Sequence, residues 1–374
     1  MPRPATRLYV HVPFCRAKCA YCAFYSEAPA AAARVSAYLG RLEQELRQVS
    51  PLAADLDSVF VGGGTPTVLG SAGLERLLDQ VRRSFRLLGQ AEVTVEANPD
   101  MLDEAMAETL ARAGVNRVSM GLQTFSETLR RRLGRRVDAA AAPLAVQALQ
   151  RAGVRRLNAD LIFLIPGQSL SQWLDDVRRT LDLGFTHLST YALTVEEGTR
   201  LAGSLPPGGL DDSLFEDMWQ AAAAVAEGYG LQRYEVSNLA RPGDECRHNL
   251  GIWYGDAYLG CGPAAASFDG ARRWTNPASL DAWLAGRPPE VDDIPSAARA
   301  AEILAFGLRT VRGWDLARFR AVTGMSPADL CPEVIRDLLA AGLLEEAPGT
   351  LRTTVAGLLV HDAIAERIIL MPTR

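Results

Sequence analysis

Six short runs of apolar and β-branched residues recur through the first two-thirds of the chain. They are "LYVHV" (8–12), "SVFVGG" (58–63), "EVTVEANP" (92–99), "RVSMGLQ" (117–123), "LNADLIFLIPG" (157–167) and "HLSTYAL" (187–193). Between them lie segments near 34–49, 71–87, 103–113, 138–152 and 171–183 whose apolar residues fall at helical spacing. Glycine marks the returns, as in "RAGV" at 112–115 and again at 151–154. Strand, helix and strand repeated about six times requires parallel strands joined by right-handed crossovers. Such a run closes into a doubly wound sheet or into a partial or full barrel, and the period alone does not choose. In either case the loops at the carboxyl ends of the strands carry the chemistry, and every unusual motif in this chain sits at such an end.

The rhythm loosens after about residue 205. "GSLPPGGLDD" (203–212) is a Pro/Gly linker, followed by a helix near 211–229, a strand "RYEVS" (233–237) and an irregular stretch to about 289. From 296 a new helical pattern runs into a short hairpin, "LLEEAPGTLRTT" (343–354), and a last helix. The expected division is therefore 1–235, a core of repeated βα units; 236–295, a segment that carries "HNLGIW"; and 296–374, a small winged-helix-like α+β domain.

Composition narrows the function classes. Hydrophobic residues make up 48% and charged residues 22% of 374, with a net charge of −5, so the chain reads as soluble and globular, without an electrostatic footprint for nucleic acid. All basic residues except Lys18 are arginine. That compositional bias argues against assigning a function to each one. The N-terminus lacks an apolar signal segment, and no stretch approaches the roughly 18 uncharged apolar residues of a membrane span. A cytoplasmic location is expected, where six cysteines point to metal or redox chemistry rather than disulfides.

Three of those cysteines, Cys15, Cys19 and Cys22, form C-x3-C-x2-C directly after the first strand. A structural zinc site wants four closed ligands, commonly in paired spacings, and no second pair follows; Cys246, Cys261 and Cys331 lie far away. His11 could complete a zinc site but sits in the strand. Three thiolates on one loop can instead hold three corners of an iron–sulfur cubane, leaving one iron for an exogenous ligand.

"CRAKCAYCAF" (15–24) resembles the CxxxCxxC loop of the radical S-adenosylmethionine (SAM) superfamily. The words "YVHVPFC", "GGGTPT", "VEANP", "GLQTF", "LGRR", "NADLIFLIPGQ", "YALTVEEGT", "HNLGIWYG" and "LGCGPAAAS" narrow the likeness, over almost the whole chain, to the oxygen-independent coproporphyrinogen III oxidases and their relatives, the HemW-type haem chaperones. The resemblance implies an α/β fold, a partial (β/α)6 TIM-type barrel. It also implies a [4Fe–4S] cluster on Cys15, Cys19 and Cys22, with SAM chelated to the open iron. Gly63, Gly64 and Thr65 would receive the SAM amino group. Glu96 at the end of the third strand would suit a cationic or hydroxyl-bearing ligand, Gln123 at the end of the fourth and Asp160 in the fifth would face ribose hydroxyls, Arg135 would pair with the SAM carboxylate, and Tyr9 and Tyr21 would contact SAM.

Two departures select the branch. The porphyrinogen oxidases carry a fourth cysteine where this chain has Phe24, and an N-terminal extension where only eight residues precede Tyr9. Both point to the chaperone branch, whose cargo is haem and whose partners are recipient haem proteins. A homodimer is one assembly left open. Val137 stands where the family's LGRxH pattern has His, and the haem-linked HNxxYW segment reads His248-Asn249-Leu250-Gly251-Ile252-Trp253. His248, flanked by Trp253 and Tyr254, is the candidate haem ligand. Cys246 is the alternative, and a purely structural turn fits this segment equally well. His187 is expected to be a satisfied core or cavity-wall histidine and His361 a surface one. The competing functions are a radical SAM oxidoreductase acting on a porphyrin-like substrate and a zinc-stabilised scaffold.

Overall fold

The computed structural model describes residues 2–28, 31–204 and 211–370, so residues 205–210 of the expected linker lie outside the described residues. The six runs form strands β1 (Ala5–Val12), β2 (Ala53–Gly63), β3 (Leu87–Ala97), β4 (Arg117–Gln123), β5 (Arg156–Phe163) and β6 (His187–Ala192). All five pairings are parallel and the order is 1-2-3-4-5-6. A doubly wound sheet would reverse its order at a switch point; here there is no reversal, and the strands curve into a partial barrel. Helices α1 (Ala32–Val49), α2 (Gly70–Ser84), α3 (Glu104–Arg112), α4 (Glu127–Arg132), α5 (Ala142–Arg151) and α6 (Leu170–Asp182) make the crossovers. The short α4 was not legible as a helix, since "ETLRRR" has only one buried residue, Leu129.

Strand alternation explains the core. Leu8, Val10, Val59, Val61, Val93, Val95, Val118, Met120, Leu157, Ala159 and Leu188 face the helices, where Leu42, Leu46, Leu74, Leu77 and Leu149 meet them. The alternate positions face inward and are polar: Ser58 on β2, Glu92, Thr94 and Glu96 on β3, Arg117 and Ser119 on β4, Asn158 and Asp160 on β5. Register stacks them in rows, with Ser119 opposite both Glu96 and Asn158. A TIM barrel normally fills its interior with branched apolar side chains. Charged and hydroxyl groups cannot pack that way, so this interior is a cavity.

The rest of the chain extends the same sheet. Past β6, helix α7 (Phe215–Glu227) leads to β7 (Gln232–Arg233) and β8 (Asn238–Ala240), both antiparallel. The predicted strand "RYEVS" is instead largely the turn between them, because Glu235 bonds back to Ser237 N at 2.7 Å and Asn238 Nδ2 at 2.5 Å. Helix α8 (Arg247–Trp253) is followed by β9 (Tyr258–Cys261), which pairs with β1 on the opposite edge. Strands β10 (Ala266–Phe268), β11 (Arg273–Thr275) and, after α9 (Leu280–Leu284), β12 (Glu290–Asp292) then continue that edge. Residues 236–295 add strands to both edges of the barrel sheet and share its core through Leu239, Leu259 and Trp283.

From 296 a second core forms. It is built by α10 (Ser296–Leu308), β13 (Trp314–Asp315), α11 (Leu316–Thr323), α12 (Pro327–Leu330), α13 (Pro332–Ala340), the hairpin β14 (Leu344–Ala347) and β15 (Thr350–Thr353), α14 (Val355–Leu359) and α15 (His361–Ile369). Its three strands are antiparallel, as in a winged helix. His361 is buried here, with Nε2 donating to Ala305 O at 3.1 Å, because α15 packs on α10; the surface expectation is corrected. Among the described residues no helix is long and apolar enough to cross a membrane.

Glu92 ties α8 to the barrel floor. Its fully buried carboxylate accepts from Arg247 N at 3.1 Å and His248 N at 3.0 Å, and pairs with Arg156 at 3.1 Å. Burial works against its charge, but the Arg117 guanidinium, the His248 amide and Arg156 together hold the carboxyl below its ordinary 4.5. Its contribution to stability is full above about pH 4.5 and is lost as pH falls through the lowered folded value. Glu92→Ala should lower the unfolding free energy by about 3–5 kcal/mol, as expected for breaking a buried pair. Urea unfolding at pH 7 measures this, and an unchanged midpoint would remove Glu92 as the tie.

Candidate functional site

The loop from Pro13 to Glu27 crosses the mouth of the barrel and is pinned at several points. Cys15 N donates to Glu27 O at 2.9 Å, Glu27 N to Pro13 O at 2.6 Å and Ala20 N to Leu133 O at 2.9 Å. Gly134, at φ 59°, lets the "LGRR" turn approach: a Cβ there would lie 2.8 Å from the Ala20 Cβ. His11, weighed as a fourth ligand, is a pillar instead. Its Nε2 donates to Tyr25 O at 2.9 Å and its Nδ1 accepts from Tyr9 OH at 3.0 Å. Among the described residues no three His, Cys, Asp or Glu side chains converge on a single point as one metal ion would require.

Cys15, Cys19 and Cys22 are all free, half-buried and on the cavity wall. Thr65 Oγ1 donates to Cys15 Sγ at 3.8 Å and Arg135 Nη1 to Cys19 Sγ at 3.6 Å. Burial pushes the Cys15 and Cys22 thiols up, a cost that metal ligation, which takes the thiolate form, would offset. Arg135 is held by Asn98 Oδ1 at 2.9 Å and Gly121 O at 2.5 Å, while its Nε is buried without a partner. Three thiols on a pinned loop, two of them with polar donors, beside an orphaned guanidinium nitrogen, fit a cluster and a carboxylate-bearing ligand.

The "GGG" triplet has a reason beyond ligand approach. A Cβ on Gly62 would meet the Glu96 carboxyl at 2.8 Å, on Gly63 the His11 ring at 2.5 Å and on Gly64 the Phe14 carbonyl oxygen at 2.5 Å. The glycines make room for three protein groups before any ligand arrives. Gly63 N then donates to Glu96 Oε2 at 3.0 Å, and Thr65 N to Phe14 O at 2.7 Å.

Glu96 and Asp160 face the cavity from neighbouring rows. Asp160 accepts from Asn158 Nδ2 at 2.8 Å and Ser119 Oγ at 3.2 Å. Burial and then the nearby Asp160 push the Glu96 carboxyl up to about 8. Gln123 adopts φ 66° at a bulge in the β4–β5 pairing, a left-handed conformation that costs of order 1–3 kcal/mol for a non-glycine residue. Such strain collects at ligand sites, and Gln123 lines this cavity. Tyr9, Tyr21, Gly63, Gly64 and Thr65 line it too, as does Val137.

At the floor, His248 is 2% exposed and its ring tilts against Phe60 at 5.3 Å. Its Nδ1 lies 2.9 Å from Ser58 Oγ, and Nε2 makes no hydrogen bond among the described residues. Burial drops its pKa to about 3, so the ring is neutral. The segment is a helix, not a turn, and it turns His248, Asn249 and Ile252 to the cavity. Trp253 and Tyr254 do not flank the ring there. Arg309 stacks over Trp253 at 4.8 Å, and Tyr254 packs on Trp314 and bonds Thr310 at 2.7 Å. Cys246 turns to Glu92 at 3.5 Å, its thiol pushed up to about 11 by burial, and does not line the cavity. His187 is satisfied by Asn158 Oδ1 at 2.6 Å and Tyr234 OH at 2.9 Å. Sequence reading missed Phe60, Asn98, Arg117, Ser119, Asn158 and Ser189. Their signal was available, since each lies in a strand or at its end, on the face opposite the valines.

The cavity holds about 1440 Å³, above the roughly 300–1,000 Å³ of ordinary ligand pockets.

Residues 9–180 match the radical SAM superfamily and residues 294–360 the HemN C-terminal domain. The chain is 34% identical to the heme chaperone HemW of Escherichia coli (strain K12), over 97% of this chain and 98% of that protein. It is 36% identical to the heme chaperone HemW of Mycobacterium tuberculosis (strain H37Rv), over 99% and 96%. Coproporphyrinogen III oxidase (HemN) from Escherichia coli has the same fold, with a TM-score of 0.86 over 99% of this chain and 91% of that one, at 23% identity.

A ligand that sets a cationic group beside Glu96 draws off the proton held there. SAM binding to the cluster-loaded protein is therefore expected to release more protons below about pH 8 than Glu96→Gln does, and the two should agree above it. Calorimetry in phosphate and Tris buffers reads this directly. Identical enthalpies in both buffers at pH 7 would mean that no such group docks at Glu96.

Proposed function

The chain belongs to the family of HemW heme chaperones within the radical SAM superfamily, and from that premise we propose that it binds haem in the cytoplasm and delivers it to haem enzymes. It carries a [4Fe–4S] cluster on Cys15, Cys19 and Cys22 with SAM at the open iron. When bound and reduced, the cluster would supply one electron to SAM, the chemistry that cleaves a sulfonium bond.

The chain's own residues have distinct tasks. Thr65 and Arg135 donate to Cys15 Sγ and Cys19 Sγ, and the free Arg135 Nε takes the SAM carboxylate in a charge-assisted bond. Gly63, Gly64, Glu96, Gln123, Asp160, Tyr9 and Tyr21 orient the rest of SAM at the rim. Phe24, 71% exposed at the cavity edge, occupies the position of the oxidases' fourth cysteine.

The observation that carries the haem reading is His248. Nδ1 lies 2.9 Å from Ser58 Oγ, and in the tautomer that carries its proton on Nδ1 the Nε2 lone pair is free for a metal, the arrangement that orients metal-bound imidazoles. A neutral imidazole is a standard haem ligand, and the lowered pKa keeps it neutral at any working pH.

Haemin titrated into the full chain should shift its Soret band, and His248→Ala should weaken binding at least about tenfold. An unchanged spectrum in the variant removes His248 as ligand. The same cluster-loaded protein, incubated anaerobically with reductant, SAM and coproporphyrinogen III, is expected to yield no protoporphyrinogen. Its appearance would establish the oxidoreductase reading instead.

A further inference from the structure

Three arginines project from the inner face of the barrel strands, and two are ion-paired. Arg7 reaches Asp256 at 2.8 Å, Ser58 Oγ at 3.2 Å and Arg247 O at 2.7 Å. Arg156 reaches Glu92 at 3.1 Å, Glu245 O at 3.2 Å and Asp244 at 3.3 Å. Arg117, only 3% exposed, lines the cavity and makes no hydrogen bond and no ion pair within 4.0 Å among the described residues. Beside it in register, Thr94 Oγ1 is also buried without a partner.

Nearby acids do not close this gap. Glu92 is committed to α8 and Arg156, and Asp160 to Asn158 and Ser119. Both feel the Arg117 charge without touching it. A buried guanidinium with five donors and no acceptor is costly unless something else supplies oxygens. Arg117 lies one inward row below Glu96, about 7 Å deeper along the strand at ~3.3 Å per residue. It thus sits below the rim where Arg135 awaits the SAM carboxylate, and on the same floor as His248, whose ring feels its charge.

We propose that Arg117 is the carboxylate-binding residue of the cavity floor, taking a propionate of the haem whose iron meets His248. The inference rests on the haem reading above. A guanidinium fork matches a carboxylate bidentately, and anchoring a propionate here sets the porphyrin's orientation as well as its affinity.

The test compares haemin with haemin dimethyl ester, whose propionates carry no charge, on the cluster-loaded full chain. Wild type should bind haemin about 10- to 100-fold more tightly than the ester. Arg117→Met should lose that factor for haemin while binding the ester as wild type does. Arg117→Lys, which keeps the charge without the fork, should retain part of the preference and guards against a variant that fails to fold. Equal wild-type affinity for haemin and ester overturns the assignment while leaving the haem reading intact. Equal loss of both ligands in Arg117→Met and Arg117→Lys assigns Arg117 a structural role and overturns it too. Absence of haemin binding to wild type overturns both. SAM affinity separates the two carboxylate sources: a fall there with haemin unaffected in Arg117→Met would give the residue to SAM and overturn the propionate.

Discussion

An uncompensated carboxylate at the barrel floor would cost several kcal/mol, and the placement of His248 rests on how that cost is offset. Glu92 takes two amides from the start of α8 and one guanidinium from β5. Those bonds hold a seven-residue helix, too short to be stable alone, against the barrel floor. Once α8 is seated, Ser58 and Phe60 set the His248 ring, and the same burial that makes the ring neutral leaves one nitrogen for the cavity.

The upper end is organised by a different physics. There the close approach of backbones matters more than charge. Three consecutive glycines accommodate Glu96, His11 and Phe14, and Gly134 accommodates Ala20. The cysteine loop is thereby clamped from two sides, and the donors that reach its sulfurs, Thr65 and Arg135, come from two different crossovers. Between floor and rim lies a polar shaft. Its width follows from lining a barrel with Ser, Thr, Asn, Asp and Arg, which demand water or ligand as neighbours.

Much of this was legible in the residues. Strict alternation in "RVSMGLQ" and "EVTVEA" marks one apolar and one polar face, and spacing put the three cysteines on one loop. The binding face was under-read because a polar residue in a strand, taken singly, more often bonds its neighbours; Arg117 and Asn158 stand out only when rows align. "RYEVS" was misread since its β-branched and aromatic content fits a strand, whereas Glu235 folds it into a turn through tertiary partners. His361 was read as exposed because helix α15 shows no signal of the α10 surface that covers it.

Local sequence determined the repeated βα units, the cysteine loop, the glycine triplet and the hairpin of the second domain, because each depends on backbone propensity and period within a few residues. Only the tertiary structure decided that the six strands close as a partial barrel, that residues 236–295 extend both of its edges, and that His248 rather than Cys246 faces the cavity. Those outcomes depend on contacts between residues far apart in the chain, such as Glu92 with His248 and Arg7 with Asp256, and no period in the sequence records which distant charges meet.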